Sequence, residues 1–248
     1  MPLKYLLLVL LALSVPAKIA ASDELPEHAG FRYAIVGNCD PSRPTVVGLH
    51  FMGGNAALSR TLFDLSDQGF NFVGLEGRHP FETGRSWFTA DHYAKPVSDQ
   101  SAEIIEEADA LAIFLQEIDT ICPTSGRPIV TGYSQGGDLV HMLAIRHARH
   151  IGAAVPMGAR FFDSWRYLER DASARTPIVV LHGGQDGVVS PTNALRAAEF
   201  YAIDSRDVTL RLFQGVGHAY PPEMRGFYRM ALRDLVSRPT SDGAATDL

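Results

Sequence analysis

The segment Pro128-Ile129-Val130-Thr131-Gly132-Tyr133-Ser134-Gln135-Gly136-Gly137 passes from an apolar run through a glycine-flanked serine into a helical pattern. In physical terms this is a strand, a sharp bend and a helix. A serine on such a bend needs small neighbours, because flanking backbone comes close, and glycine at both two-residue offsets relieves the clash. The bend lifts the Ser134 hydroxyl above the sheet, at the start of a helix whose free N–H groups and dipole favour developing negative charge. Ser134 is the candidate nucleophile; the alternative is a bystander serine in a glycine-rich turn.

Outward from this segment, short β-rich runs alternate with helical patterns. Strands are expected at Phe31–Val36, Thr45–His50, Phe70–Leu75, Pro128–Tyr133, Ala153–Met157, Pro177–His182 and Val208–Phe213. Several are continuous apolar runs rather than alternating ones, which suits strands covered on both faces. Helices are expected at Glu103–Ile118, Gly136–Arg149, Thr192–Ala202 and Pro222–Ser237, the first with a clear apolar stripe through Ile104, Ala108, Leu111 and Leu115. The fold class is α/β, a doubly wound, mostly parallel sheet with helices on both faces. The stretch Phe81–Gln100 is a long irregular insertion containing Trp87, Phe88 and Tyr93, which reads as an ordered loop beside a site.

Serine is a poor nucleophile at neutral pH; it needs a base, and the base needs an orienting carboxylate. The strand ending at His182 runs into Gly183-Gly184-Gln185-Asp186, which places Asp186 in a turn at the C-terminal edge of the sheet. The strand Val208–Phe213 runs into a glycine-flanked loop carrying His218, on the same edge. Open α/β sheets place their sites there. Read structurally instead, Asp186 caps a turn and His218 is an exposed loop histidine. Two backbone N–H groups are expected to face a developing oxyanion, one from Gln135 after the nucleophile and one from Met52 in the loop His50-Phe51-Met52-Gly53-Gly54-Asn55. Trp87 and Phe88 are either core of the insertion or a pocket wall that touches substrate. His141, His147 and His150 read as a solvated helix face rather than a metal site, because no third ligand type completes a set.

The chain has 248 residues with a formal net charge of −6, 46% hydrophobic and 20% charged. That composition excludes low-complexity and largely disordered readings, and the acidic balance argues against nucleic acid as a partner. Residues 1–22 carry a lysine, an apolar run and small residues at 20–22, the layout of a removable signal peptide, so the protein is expected to be secreted or periplasmic. Residues 23–238 then form the catalytic domain and 239–248 a flexible tail. No further apolar run is long enough for stable membrane insertion. In an oxidising compartment Cys39 and Cys122 become candidates for a disulfide, since each lies six residues before an expected strand and both thiols then sit at one end of the sheet. Two unpaired cysteines too far apart to bond are the alternative.

Taken together, Gly132-Tyr133-Ser134-Gln135-Gly136-Gly137, Ser86-Trp87-Phe88, His182-Gly183 with Asp186-Gly187-Val188-Val189, and Gly217-His218 resemble motifs of the phospholipase/carboxylesterase family of α/β hydrolases, which includes the acyl-protein thioesterases. The likeness runs over roughly residues 42–235. It implies a Ser134–His218–Asp186 triad, Met52 and Gln135 as oxyanion donors, an acyl-enzyme, no cofactor and no metal. Small-molecule or lipid-like esters are the implied substrates. The family's His-Gly after the first core strand is His50-Phe51 here. An exported serine peptidase, a polyester or dienelactone hydrolase, and a non-catalytic binding protein of the same fold are the other readings.

Overall fold

The structure, a computed structural model, describes residues 25–171, 176–204 and 206–237. The leader read at 1–22 and the tail read at 239–248 lie outside the described residues. In chain order the strands are β1 (Glu27–His28), β2 (Phe31–Ile35), β3 (Thr45–Leu49), β4 (Asn71–Leu75), β5 (His79–Phe81), β6 (Gly84–Ser86), β7 (Ile129–Tyr133), β8 (Ala153–Met157), β9 (Ile178–Gly183) and β10 (Val208–Phe213). The helices are α1 (Ala56–Phe63), α2 (Val97–Gln116), α3 (Ile118–Ile121), α4 (Gln135–Arg146), α5 (Thr192–Ile203) and α6 (Pro222–Ser237). One sheet runs β1-β2-β4-β3-β7-β8-β9-β10, while β5 and β6 pair separately as a hairpin. From β4 to β10 its strands are parallel; β2 joins β4, and β1 joins β2, antiparallel.

The apolar runs are continuous because successive residues enter two different cores. Val46 faces a core shared with Phe63 of α1 and Met224, Tyr228 and Leu232 of α6. Val47 faces the other, with Ile104, Ala108 and Leu111 of α2, Leu139 and Leu143 of α4, and Phe200 of α5. Each residue of β3, β4, β7, β8 and β9 is buried. Burying an aliphatic side chain contributes about 1.5–3 kcal/mol, so a polar residue on either face of these strands would be costly.

All seven expected strands and four expected helices are present, with ends shifted by a few residues. The differences have local causes. Helix α1 falls where no helix is expected; Asn55 caps it, its side-chain oxygen accepting the Leu58 N–H at 2.8 Å. Helix α2 begins at Val97 rather than Glu103, with Pro96 just before it, a place where a missing N–H costs nothing. The insertion 81–100 is ordered, and it contains β6, a single turn at 92–94 and the start of α2.

Cys39 and Cys122 form a disulfide with Cα atoms 5.3 Å apart, bridging 83 positions of chain. They precede β3 and β7, so the bridge lies at the edge where the parallel strands begin. Closing a loop of that length restricts the unfolded chain by about 4 kcal/mol. A Cys39→Ser, Cys122→Ser double variant is expected to lose about that much stability in urea titration; an unchanged midpoint would mean the bridge contributes little.

Candidate active site

Ser134 occupies the bend between β7 and α4 with φ 56° and ψ −117°. A non-glycine residue in that region carries strain of about 1–3 kcal/mol and persists only where its surroundings over-determine it. They do so here: the Ser134 N–H donates to the Met157 carbonyl at 2.9 Å, and its own carbonyl accepts the Asp138 N–H at 3.0 Å. The flanking glycines are sterically required. A Cβ on Gly132 would stand 2.4 Å from the Gly136 carbonyl, and a Cβ on Gly136 would stand 2.3 Å from the Leu49 oxygen.

The turns after β9 and β10 bring two distant side chains to the same place. His218 Nε2 lies 3.1 Å from Ser134 Oγ, and His218 Nδ1 lies 2.7 Å from Asp186 Oδ2. With Nδ1–H donating to the carboxylate, Nε2 is left as the acceptor for the serine proton. Asp186 also caps its turn, as the structural reading allowed: Oδ1 accepts the N–H groups of Val188 and Val189 at 2.9 and 2.8 Å. Burial alone would raise this carboxyl. The close contact of His182, the hydrogen bond from His218 and the His218 charge outweigh burial and hold it well below the ordinary carboxylate range. His218 is not an exposed loop residue; its side chain is 10% accessible and its ring leans on Tyr133 at 5.1 Å.

The loop after β3 is pinned from three sides. His50 is buried; its Nε2 accepts the Gly77 N–H at 2.9 Å, so Nδ1 carries the proton and donates to the Phe51 carbonyl at 2.7 Å. Burial pushes this ring down to about 4 and keeps it neutral. The Trp87 indole N–H donates to the His50 carbonyl at 2.7 Å, and the two rings stack at 4.9 Å. Arg85 of β6 accepts the Gly53 N–H and donates its own to Gly54, both at 2.8 Å. Met52 sits inside this clamped turn. Gln135 is buried at the first position of α4, and its side-chain oxygen accepts from the Ser86 hydroxyl at 3.1 Å and the Trp87 N–H at 3.2 Å.

Trp87 and Phe88 correct one expectation. Both are fully buried, Trp87 against His50 and Phe88 against His92 at 4.3 Å, so they are core supports of the loop and not a wall in contact with substrate. Tyr93 of the same insertion is half exposed, with the Arg160 guanidinium over its ring at 4.9 Å. The helical histidines need correction as well. His141 is buried rather than solvated, with Nδ1 2.9 Å from the Tyr201 hydroxyl, and burial holds it down to about 3. His147 contacts Asp109 at 2.6 Å. Among the described residues no three His, Cys, Asp or Glu side chains cluster as a metal site needs.

The phospholipase/carboxylesterase family model matches residues 32–232. Acyl-protein thioesterase 1 of Gibberella zeae is 27% identical over 116 residues, 45% of this chain, and the chain spans about half the length of that curated relative, 48%. Among solved structures, the Bacillus cereus carboxylesterase has a TM-score of 0.72 at 16% identity, covering 83% of this chain and 94% of that one. The carboxylesterase from Mesorhizobium loti has a TM-score of 0.67 at 21% identity, covering 84% and 97%. At these identities the likeness to the solved structures is one of fold.

Proposed function

Because the chain belongs to the phospholipase/carboxylesterase family, we propose that it is an ester-bond hydrolase that cleaves carboxylic esters through Ser134, His218, Asp186 and an acyl-enzyme. The observation that carries this reading is the hydrogen-bonded line from Ser134 Oγ through His218 to Asp186. His218 takes the serine proton as Oγ attacks the acyl carbon. The alcohol leaves with that proton, and a water activated by His218 then releases the acid and regenerates Ser134. Asp186, ionised and held by its turn, keeps the imidazole in the tautomer that presents a bare Nε2 to the serine.

The tetrahedral oxyanion rests on the backbone N–H groups of Gln135 and Met52. Gln135 opens α4, where helix N–H groups have no intrahelical acceptor. In the facing loop the Gly53 and Gly54 N–H groups are spent on the Arg85 and Phe51 carbonyls, which favours Met52 as the second donor. Each such donor is worth about 3–4 kcal/mol to the transition state. Exposed apolar groups of the insertion and of the Asp186 turn, Tyr93 and Val188, favour a lipid-like or otherwise apolar ester. The disulfide supports work in an oxidising compartment after export.

A fluorophosphonate probe tests the nucleophile: it is expected to label Ser134 stoichiometrically in the folded protein, and failure to label would remove the hydrolase mechanism. Turnover across aryl esters of increasing acyl length, with a thioester included, then ranks the substrates. A preference for the thioester at equal acyl length would move the assignment to acyl-thioester hydrolysis.

A further inference from the structure

The acid of the triad holds a second histidine. His182, near the end of β9, is buried, and its Nε2 lies 2.9 Å from the Val189 carbonyl oxygen and 3.3 Å from Asp186 Oδ2. A carbonyl oxygen only accepts, so Nε2 carries the ring proton. Donated to Val189, the same N–H still lies close to the carboxylate oxygen that receives His218 Nδ1–H at 2.7 Å, near enough to act on its charge. It also ties the far end of the 186–189 turn back to β9.

We propose that His182 is a positioning residue for ester hydrolysis: its Nε2–H, bonded to Val189 and lying against Asp186 Oδ2, holds the turn and draws on the carboxylate charge, and so sets the pH at which His218 becomes a free base. The proposal rests on the reading of Ser134, His218 and Asp186 as the reacting triad. A positive N–H end beside a carboxylate oxygen stabilises its negative charge in competition with the other groups that face it. Without His182, that charge falls on the His218 Nδ1–H alone, the imidazolium is favoured, and the base stays protonated to higher pH. The other titratable groups facing this pair come from β7 and α4. Tyr133 is held protonated by burial, with the Asp186 charge adding to the effect, and His141 is held neutral by burial near His182. Neither changes charge across an assay range around neutrality, so a movement of the profile belongs to the Asp186–His218 pair.

The test is kcat/KM against pH on a simple aryl ester for His182→Leu and His182→Gln. His182→Leu is expected to move the acidic limb upward by about half a pH unit or more. His182→Gln, whose amide nitrogen reaches the position of Nε2, is expected to return it to the wild-type position. A merely structural role lowers the rate and leaves the limb in place; that outcome in a folded, active variant overturns the proposal. Should His182→Leu fail to fold, His182→Asn serves in its stead, since its shorter amide stops short of Oδ2, and an unmoved limb there is equally decisive. The His218 Nδ1–H proton resonance, followed by NMR over the same pH range, reads the shift without turnover. If Ser134→Ala retains activity, the triad reading fails; if the wild type is serine-dependent and the limb ignores His182, only this proposal does.

Discussion

Replacing Ser134 with alanine will leave a folded protein whose turnover of an aryl ester falls by about 10^4-fold or more. Alanine removes very little. It takes away one hydroxyl that lies 3.1 Å from His218 Nε2, while the backbone bonds that hold the bend, Ser134 N–H to Met157 and Asp138 N–H to the Ser134 carbonyl, remain. Under the proposed mechanism, the residual rate is that of the oxyanion donors and substrate binding alone. Thermal unfolding is expected within a few degrees of wild type, because a single polar atom is lost from a partly buried site. A folded variant with near-wild-type turnover would mean that some other group carries the chemistry.

The second large effect concerns stability. Gly132→Ala adds one methyl group, and that methyl would stand 2.4 Å from the carbonyl of Gly136, an atom of the α4 backbone that cannot rotate away. The helix itself is pinned: its residues from Gln135 to Ile145 are all buried between the sheet and α2. Relief therefore requires moving a fully packed helix or straightening the Ser134 bend, and either costs about 4 kcal/mol or more, in the range of severe single substitutions. The expected outcome is insoluble expression or a Tm lowered by ten degrees or more in calorimetry. A soluble Gly132→Ala protein with a wild-type Tm would show that the bend is looser than its contacts imply.

How far such features could be read in advance varied with their physical origin. The parallel strands were legible because both faces of β3, β7 and β9 are buried, which forces unbroken apolar runs. The placement of Ser134, Asp186 and His218 after β7, β9 and the half-buried β10 was legible because parallel strands end on one edge. Helix α1 was not, since only Ala56, Ser59, Leu62 and Phe63 of its eight residues are buried and so short a stripe makes a weak period; Asn55 was the signal to weigh. The β5–β6 hairpin has no pattern of its own, and β6 owes its place to pairing with the backbone of Gly53 and Gly54. Trp87 and Phe88 were ambiguous because an aromatic residue packs equally well in a core or a pocket, and only the fold decides which. His182 was legible as a strand end and part of the motif around Asp186, but not as a neighbour of the carboxylate; the tight turn through Asp186 and Val189 is what folds the carboxylate back onto it.

The covalent bridge between residues 39 and 122 fastens the rim where the strands start, whereas the proposed triad lies where they finish. Thiol reagents should therefore shorten the working life of the catalyst without slowing each cycle. A batch made in a reducing cytosol would begin at full speed and fade sooner on warming, so oxidation state governs endurance and not pace.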